Sequence, residues 1–395
     1  MASKNYVCLA MSGDGTRTVA GYGSSVEVIE NDIVMATIGL TGSISEIVMS
    51  ENGLRLIALT TNRLYYSVDG GYTWNLISQV CNNIAINKEG SYAALGHSTG
   101  IGGTSLVIMP FSNPSTLITV AGTVLFPIQR IALSNVTAGK LNAVILGGWS
   151  AFNPNVNYLY KCTDIIGVAP SLVRIVYDDL SNALYNNGYI STHCNIAYDE
   201  TFTKFIIAIY MNPSQLTIQV PNSNTVFLYN NTTSTVTNSF TKIGFNWKSI
   251  ACDKTGQIVT AIYNDVNVPD GSGHACYRSN DGGNTFYQVI LNNYDIAYYK
   301  YKNQDGTKFL VLNGVVCDNT GFNISICEGF IGMLITDVIQ FDFLTYNHLL
   351  KEYISTINNN INIINNKLNV DAESNALHLR TTTMNSLTLY PGIHN

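Results

Sequence analysis

Charge is scarce in this chain: only 12% of its 395 residues are Asp, Glu, Lys or Arg, and the formal net charge is -6. No basic field exists to draw a nucleic-acid backbone or an anionic membrane surface, so neither is an expected partner. Long apolar runs are missing too. The opening "MASKNYVCLAMSGDG" lacks the apolar core of an export leader, and the most apolar later stretch, Phe330 to Leu344, is broken by Asp337 and Asp342. No membrane insertion is expected. The eight cysteines (Cys8, Cys81, Cys162, Cys194, Cys252, Cys276, Cys317, Cys327) show no C-x-x-C spacing, which excludes a zinc ribbon or thioredoxin-type motif and predicts reduced thiols buried in strands. His97, His193, His274, His348, His378 and His394 stand apart from one another at ligand spacings, and neither a P-loop nor a G-x-S-x-G elbow is present. Catalytic, cofactor and metal sites are therefore not expected.

What the chain does contain is a repeat. A short apolar strand, a polar turn often carrying Gly, and a second apolar strand recur as "LAMSGDGTRTVAG" from Leu9, "IVMSENGLRLIAL" from Ile47, "IAINKEGSYAALG" from Ile84 and "IALSNVTAGKLNAVILG" from Ile131. The series continues with "IAYDETFTKFIIAIY" from Ile196, "IACDKTGQIVTAIY" from Ile250 and "IAYYKYKNQDGTKFLVLNG" from Ile296. Start-to-start spacings of 38, 37, 47, 65, 54 and 46 residues suit four-stranded propeller blades, with insertions in the fourth and fifth copies. The expectation is an all-β, seven-bladed β-propeller over residues 1–342. Tyr6 to Met11 is placed to help close the last blade. The stretches Val220 to Phe240 and Asn264 to His274 read as insertions, and inserted loops on a rigid scaffold are candidates for a binding surface.

Two further stretches repeat each other closely: "YSVDGGYTWNL" from Tyr66 and "RSNDGGNTFYQ" from Arg278. Each predicts strand, tight turn, strand, with glycines supplying the positive φ, an aspartate bonding backbone N–H groups, and an aromatic peg after the turn. They fall in the second and sixth expected blades. Ser67, Asp69, Gly71, Thr73 and Trp74 occupy every specified position of the S-x-D-x-G-x-T-W pattern; Ser279, Asp281, Gly283, Thr285 and Phe286 do so with Phe for Trp. The chain thus resembles the Asp-box, or BNR-repeat, propellers, which include sialidases, sortilin-type receptors and photosystem assembly factors. In such relatives the motif lies on an outer hairpin away from the ligand face, so the resemblance implies architecture and a structural role for these ten residues. A sialidase would also need three arginines around a carboxylate, and a tyrosine nucleophile paired with a glutamate. With seven arginines in all, and "FPIQR" (Phe126 to Arg130) in place of Phe-Arg-Ile-Pro, the catalytic set of that family is not recognisable, and the chain is expected not to be an enzyme.

After about Phe343 the composition changes. Leu350, Ile354, Ile357, Ile361, Ile364 and Leu368 recur at spacings of 4, 3, 4, 3 and 4, a heptad seam with asparagines on much of the remaining surface. Asparagine is a poor helix former, so such a helix needs packing, and isoleucine at both seam positions favours trimers over dimers. Residues 343–371 are expected to form a short coiled-coil stalk; a helix folded back on the propeller is the alternative. Residues 372–395 alternate apolar and polar residues from Leu377 to Tyr390 and predict a strand tail that adds to another structural protein's sheet. A propeller head, oligomerising stalk and strand tail resemble virion fibre and spike proteins. That plan implies a homotrimeric attachment protein on a virion or phage surface, made in a host cytoplasm, with surface glycans or a protein as the propeller's ligand. A cytoplasmic scaffold or assembly factor is the alternative.

Overall fold

The computed structural model describes residues 6–31, 33–61, 63–98, 104–120, 128–147, 159–167, 170–175, 193–210, 225–241, 246–264, 274–289, 312–321, 323–328 and 334–338. By internal contacts the chain divides into Met1–Ile339 and Gln340–Asn395. The second unit lies outside the described residues, as do the expected stalk seam from Leu350 to Leu368 and the strand tail.

Every described element is a strand, and each strand pairs antiparallel with its sequence neighbour. Six four-stranded sheets and one three-stranded sheet result. The first strand of each is the innermost: Tyr6–Met11, Ile44–Met49, Asn83–Ile86, Ile128–Leu133, His193–Tyr198, Asn246–Cys252 and Leu312–Cys317. Each inner strand touches the inner strand of the next sheet, and Leu312–Cys317 touches Tyr6–Met11, which makes the circuit continuous. This is a β-propeller. The seven four-stranded blades expected from the repeats are corrected to six complete blades; the remaining sheet, Leu312–Cys317, Asn323–Glu328 and Leu334–Val338, has three described strands.

Burial follows from this stacking. A central sheet layer has protein on both faces, so Leu56–Thr60 and Ala143–Gly147 are buried at every position instead of alternating. One apolar layer fills each gap between neighbouring sheets. Val19, Val28, Ile47 and Leu56 pack between the first and second, and Tyr6, Leu9 and Val316 between the last and the first. A fully buried aliphatic side chain of this kind contributes about 1.5–3 kcal/mol.

Three readings of the repeat need revision. Tyr6–Met11 does not complete the last sheet; it pairs with Arg17–Tyr22 as the inner strand of the first. Val220 to Phe240 is largely not an inserted loop, because Thr225–Asn230 and Thr235–Thr241 are the two outer strands of the fifth sheet. The seventh unit was placed at Ile296, which lies outside the described residues, whereas the hairpin of the last sheet is built on "VVCDNTGFNISI", Val315 to Ile326. Cys317-Asp318-Asn319-Thr320-Gly321 repeats Cys252-Asp253-Lys254-Thr255-Gly256, a sequence signal stronger than the tyrosine-rich stretch at Ile296.

Candidate functional site

The propeller has two unlike faces, and the difference starts with the turns. On one face, each hairpin between first and second strands is a short polar turn in which a side chain bonds its own backbone. The Asp199 carboxylate accepts from the N–H groups of Thr203 and Lys204 at 2.8 and 2.9 Å and from the Thr201 and Thr203 hydroxyls; Asp253 repeats the pattern with Gln257 and Ile258. Neighbouring turns are then linked through the backbone. The Glu200 N–H donates to Lys254 O at 2.7 Å, Lys254 to Asn319 at 3.1 Å, Asn319 to Gly13 at 2.7 Å, Gly13 to Glu51 at 2.7 Å and Glu51 to Lys88 at 2.7 Å. The chain's first and last described sheets are thus stitched together at Gly13.

The two Asp-Gly-Gly turns sit on this same face, between the third and outer strands of the second and sixth sheets. The Ser67 hydroxyl donates to Asp69 at 2.7 Å and accepts from the Gly71 N–H at 2.9 Å, while Asp69 accepts from the Thr73 N–H and hydroxyl at 2.9 and 2.6 Å. Ser279, Asp281, Gly283 and Thr285 reproduce these four bonds to within 0.1 Å, with distances of 2.7, 2.8, 2.9 and 2.6 Å. Gly71 and Gly283 have φ of 95° and 89°, which side-chain-bearing residues rarely adopt. Trp74 donates to Gly71 O at 2.8 Å and packs into the layer between the first two sheets; Phe286 lies 5.5 Å from the Trp247 ring in the layer between the fifth and sixth. All ten motif residues are engaged in turn structure or packing, on a face of tight turns.

The strand ends that flank the long connections lie on the opposite face, and the connecting residues themselves lie outside the described residues. The four longest, 148–158, 176–192, 211–224 and 290–311, all join second to third strands or an outer strand to the next inner one, so their flanking strand ends share that face. Asn264 to His274 also joins a second to a third strand; residues 265–273 lie outside the described residues. Five inner strands shift register at their long-connection end, after Tyr6, Ile44, Ile128, Trp247 and Leu312. A bulge there re-aims side chains at the mouth of the axis.

Polar side chains meet at that mouth. Arg130, on the fourth inner strand, donates to Asn83 Oδ1 at 3.1 Å and lies 3.9 Å from Glu46 of the second, reaching past the short third inner strand. Asn83 in turn donates to Ile128 O at 2.5 Å. Surrounding protein pushes the Glu46 carboxyl up and Arg130 pulls it back down. Both side chains keep 24% of their surface open, so water moderates that push. Sequence reading missed this cluster because its members are 37 and 47 residues apart and belong to no motif. Its one signal was a charged residue at the start of a strand that otherwise repeats as apolar.

Other expected features stay dispersed. Arg17 bonds Glu30 at 2.9 Å and Gly53 O at 3.0 Å, Arg55 bonds Val68 O at 2.8 Å, and Arg278 is buried in the sixth sheet. Among the described residues, no three His, Cys, Asp or Glu side chains gather as metal ligands, and no helix is long and apolar enough to cross a membrane.

Comparison with known proteins gives the fold alone. No protein-family description and no curated protein sequence matches the chain. Among solved structures, it is similar to a hydrazine synthase from Kuenenia stuttgartiensis, at 11% identity and a TM-score of 0.54, over 87% of this chain and 97% of that one. It is also similar to a GH74 xyloglucanase from Xanthomonas campestris, at 11% identity and a TM-score of 0.58, over 86% of this chain but only 52% of that one. A β-propeller domain of Cps50 (Swd1) from Myceliophteria thermophila aligns at 11% identity with a TM-score of 0.47, over 73% of this chain and 85% of that one.

Proposed function

We propose that this chain is a non-enzymatic binding protein that presents the long-connection face of its propeller to a glycan or protein partner. The observation that carries the reading is the asymmetry of the faces: a belt of tight, mutually bonded turns on one side, and on the other the Glu46–Arg130 mouth together with the strand ends that flank the four longest connections. Binding surfaces concentrate on long loops held by a rigid scaffold. In this reading the three-stranded sheet is a seventh blade and the Asp-Gly-Gly turns are Asp-boxes that staple the second and sixth blades. The heptad segment makes the protein a trimer, and its tail attaches it to a virion or phage particle as a fibre-type component. This last step rests on likeness of plan, since a propeller fold by itself specifies no activity. For the same reason the 11% likeness to a xyloglucanase does not transfer glycosidase activity.

The test is binding of the full chain to arrayed glycans and to whole cells, beside a variant in which residues 176–192 are replaced by a Gly/Ser linker. Binding by the parent and its loss in a variant that melts at the same temperature is the expected result. Equal binding by both would move the site off this face, and sugar turnover by the parent would make the chain an enzyme.

A further inference from the structure

The belt of backbone bonds on the tight-turn face opens at one place. Between the second and third sheets and between the fifth, sixth, last and first it passes directly from turn to turn, and from the third to the fourth it continues through side chains: the Glu89 N–H donates to Asn135 Oδ1, and the Val136 N–H to Glu89 Oε1, each at 3.1 Å. From the fourth turn to the fifth no backbone–backbone bond is made among the described residues, and the link between the two sheets on this face is the Lys161 ammonium, which donates to Asn231 O at 2.7 Å. The cause is local. The Ser134 N–H reaches across to Asn142 O, eight residues on, whereas the equivalent closures from Ser12, Ser50, Asn87, Asp199, Asp253 and Asp318 span five. The enlarged fourth turn, with Ala138 and Gly139 at φ of 51° and 75°, leaves a cleft of about 330 Å³ against the fifth sheet. That is within the size range of small-ligand sites.

We infer that this cleft is a second binding site, on the face opposite the long connections, and that it takes a neutral sugar unit. Its chemistry is mixed in the way a pyranose is mixed. Lys161, the single charged residue of the lining, gives one N–H to Asn231 O at 2.7 Å and keeps two. The Thr201 and Thr203 hydroxyl oxygens lie 2.5 and 2.7 Å from Asp199 and 2.8 Å from each other, so their two protons are used within this group and the pair meets a ligand as an acceptor. The Asn142 amide oxygen already accepts from the Asp164 N–H at 3.0 Å, which leaves its NH₂ as a donor. The threonine methyls supply apolar surface for C–H faces, above Phe202, which is buried and packs its ring against Tyr198 and Phe205. A compact anion would meet one ammonium but also the Asp199 charge behind the threonines; a ring of hydroxyls meets both donors and acceptors.

The site is tested on the full chain by saturation-transfer NMR with glucose, galactose, mannose and N-acetylglucosamine, and with sodium sulfate as the competing anion. At least one sugar is expected to bind with sulfate leaving its signal unchanged. Lys161→Met should weaken binding about tenfold, the cost of leaving one polar group of the complex unpaired. Thr232→Trp, at an exposed turn on the cleft rim, should abolish binding without touching the core. No sugar binding, displacement of sugar by sulfate, or unchanged affinity in Thr232→Trp would overturn the inference. Replacement of residues 176–192 leaves these residues intact, so failure here is separable from failure of the long-connection face.

Discussion

Asp199 shows how much of this fold rests on single turn residues. Burial pushes its carboxyl up, but bonds from the Thr201 hydroxyl, the Lys204 N–H and Thr203 outweigh that and hold it below the ordinary carboxylate value. Asp69 and Asp281 are held low in the same way. A depressed carboxylate pKa stabilises the fold above the unfolded value, near pH 4, and that stability is lost as pH falls through the folded value. Asp199→Asn is therefore expected to lose about 1–3 kcal/mol at pH 7, with the gap to the parent narrowing below about pH 4; urea unfolding at the two pH values checks it. Cysteine behaves oppositely. Burial drives the thiols of Cys81, Cys162, Cys252 and Cys276 up to about 12, so at pH 8 roughly one in ten thousand is thiolate. Iodoacetamide at pH 8 should leave the buried Cys81, Cys162 and Cys276 unmodified in the native protein and alkylate them after unfolding, as peptide mass spectrometry would show. The expectation of thiols buried in strands fits Cys162 and Cys276; Cys81 is buried in the connection between Asn75–Ile77 and Asn83–Ile86, and Cys8, Cys252 and Cys317 are only partly buried.

At the scale of elements, the hairpin turn is the unit that both the sequence and the fold repeat. The first six repeat copies do begin in inner strands, because an apolar run flanked by a polar Gly-containing turn has few other ways to bury itself. The last unit was misplaced: "IAYYKYKNQDG" copies the apolar opening, whereas "CDNTG" copies the turn chemistry, and the turn is what the neighbouring unit bonds to. Gly13 carries that bond at the point where the first and last described sheets meet. A Cβ at this position would come within 2.3 Å of Glu51 Cγ and 2.4 Å of Asn319 Nδ2. Gly13→Val is expected to cost about 1–3 kcal/mol through overpacking, read as a lowered denaturation midpoint. Gly139→Ala, which has no atom within 4 Å of its added Cβ, is the control for strain of positive φ alone. If Gly13→Val is as stable as the parent, the closure contact bears no strain and the ring is held by the apolar layers instead.

For the whole molecule, the ring geometry separates two roles that the sequence mixes together. Sheet-to-sheet packing and the bonded turns tie one face together, and the strand ends that flank the longest connections share the other. Oligomerisation belongs to this scale as well. Light scattering of the full chain beside a form ending at Phe343 should show a trimer reduced to a monomer. Two monomers would mean that the isoleucine seam makes no trimer and would withdraw the fibre-type reading. The candidate mouth could not be found in advance, since Glu46, Asn83 and Arg130 come together only when the second, third and fourth inner strands stand side by side.

The sequence by itself determined the strand content, the hairpin unit and the two stapled turns. These are local properties, set within a dozen residues by apolar alternation and turn chemistry. Only the tertiary structure decided which turns bond to which, that the first and last sheets meet at Gly13 and Asn319, that Val220 to Phe240 is chiefly blade, and where the polar mouth and the interrupted belt lie. Each of those depends on residues tens to hundreds of positions apart, brought together by the closure of a ring.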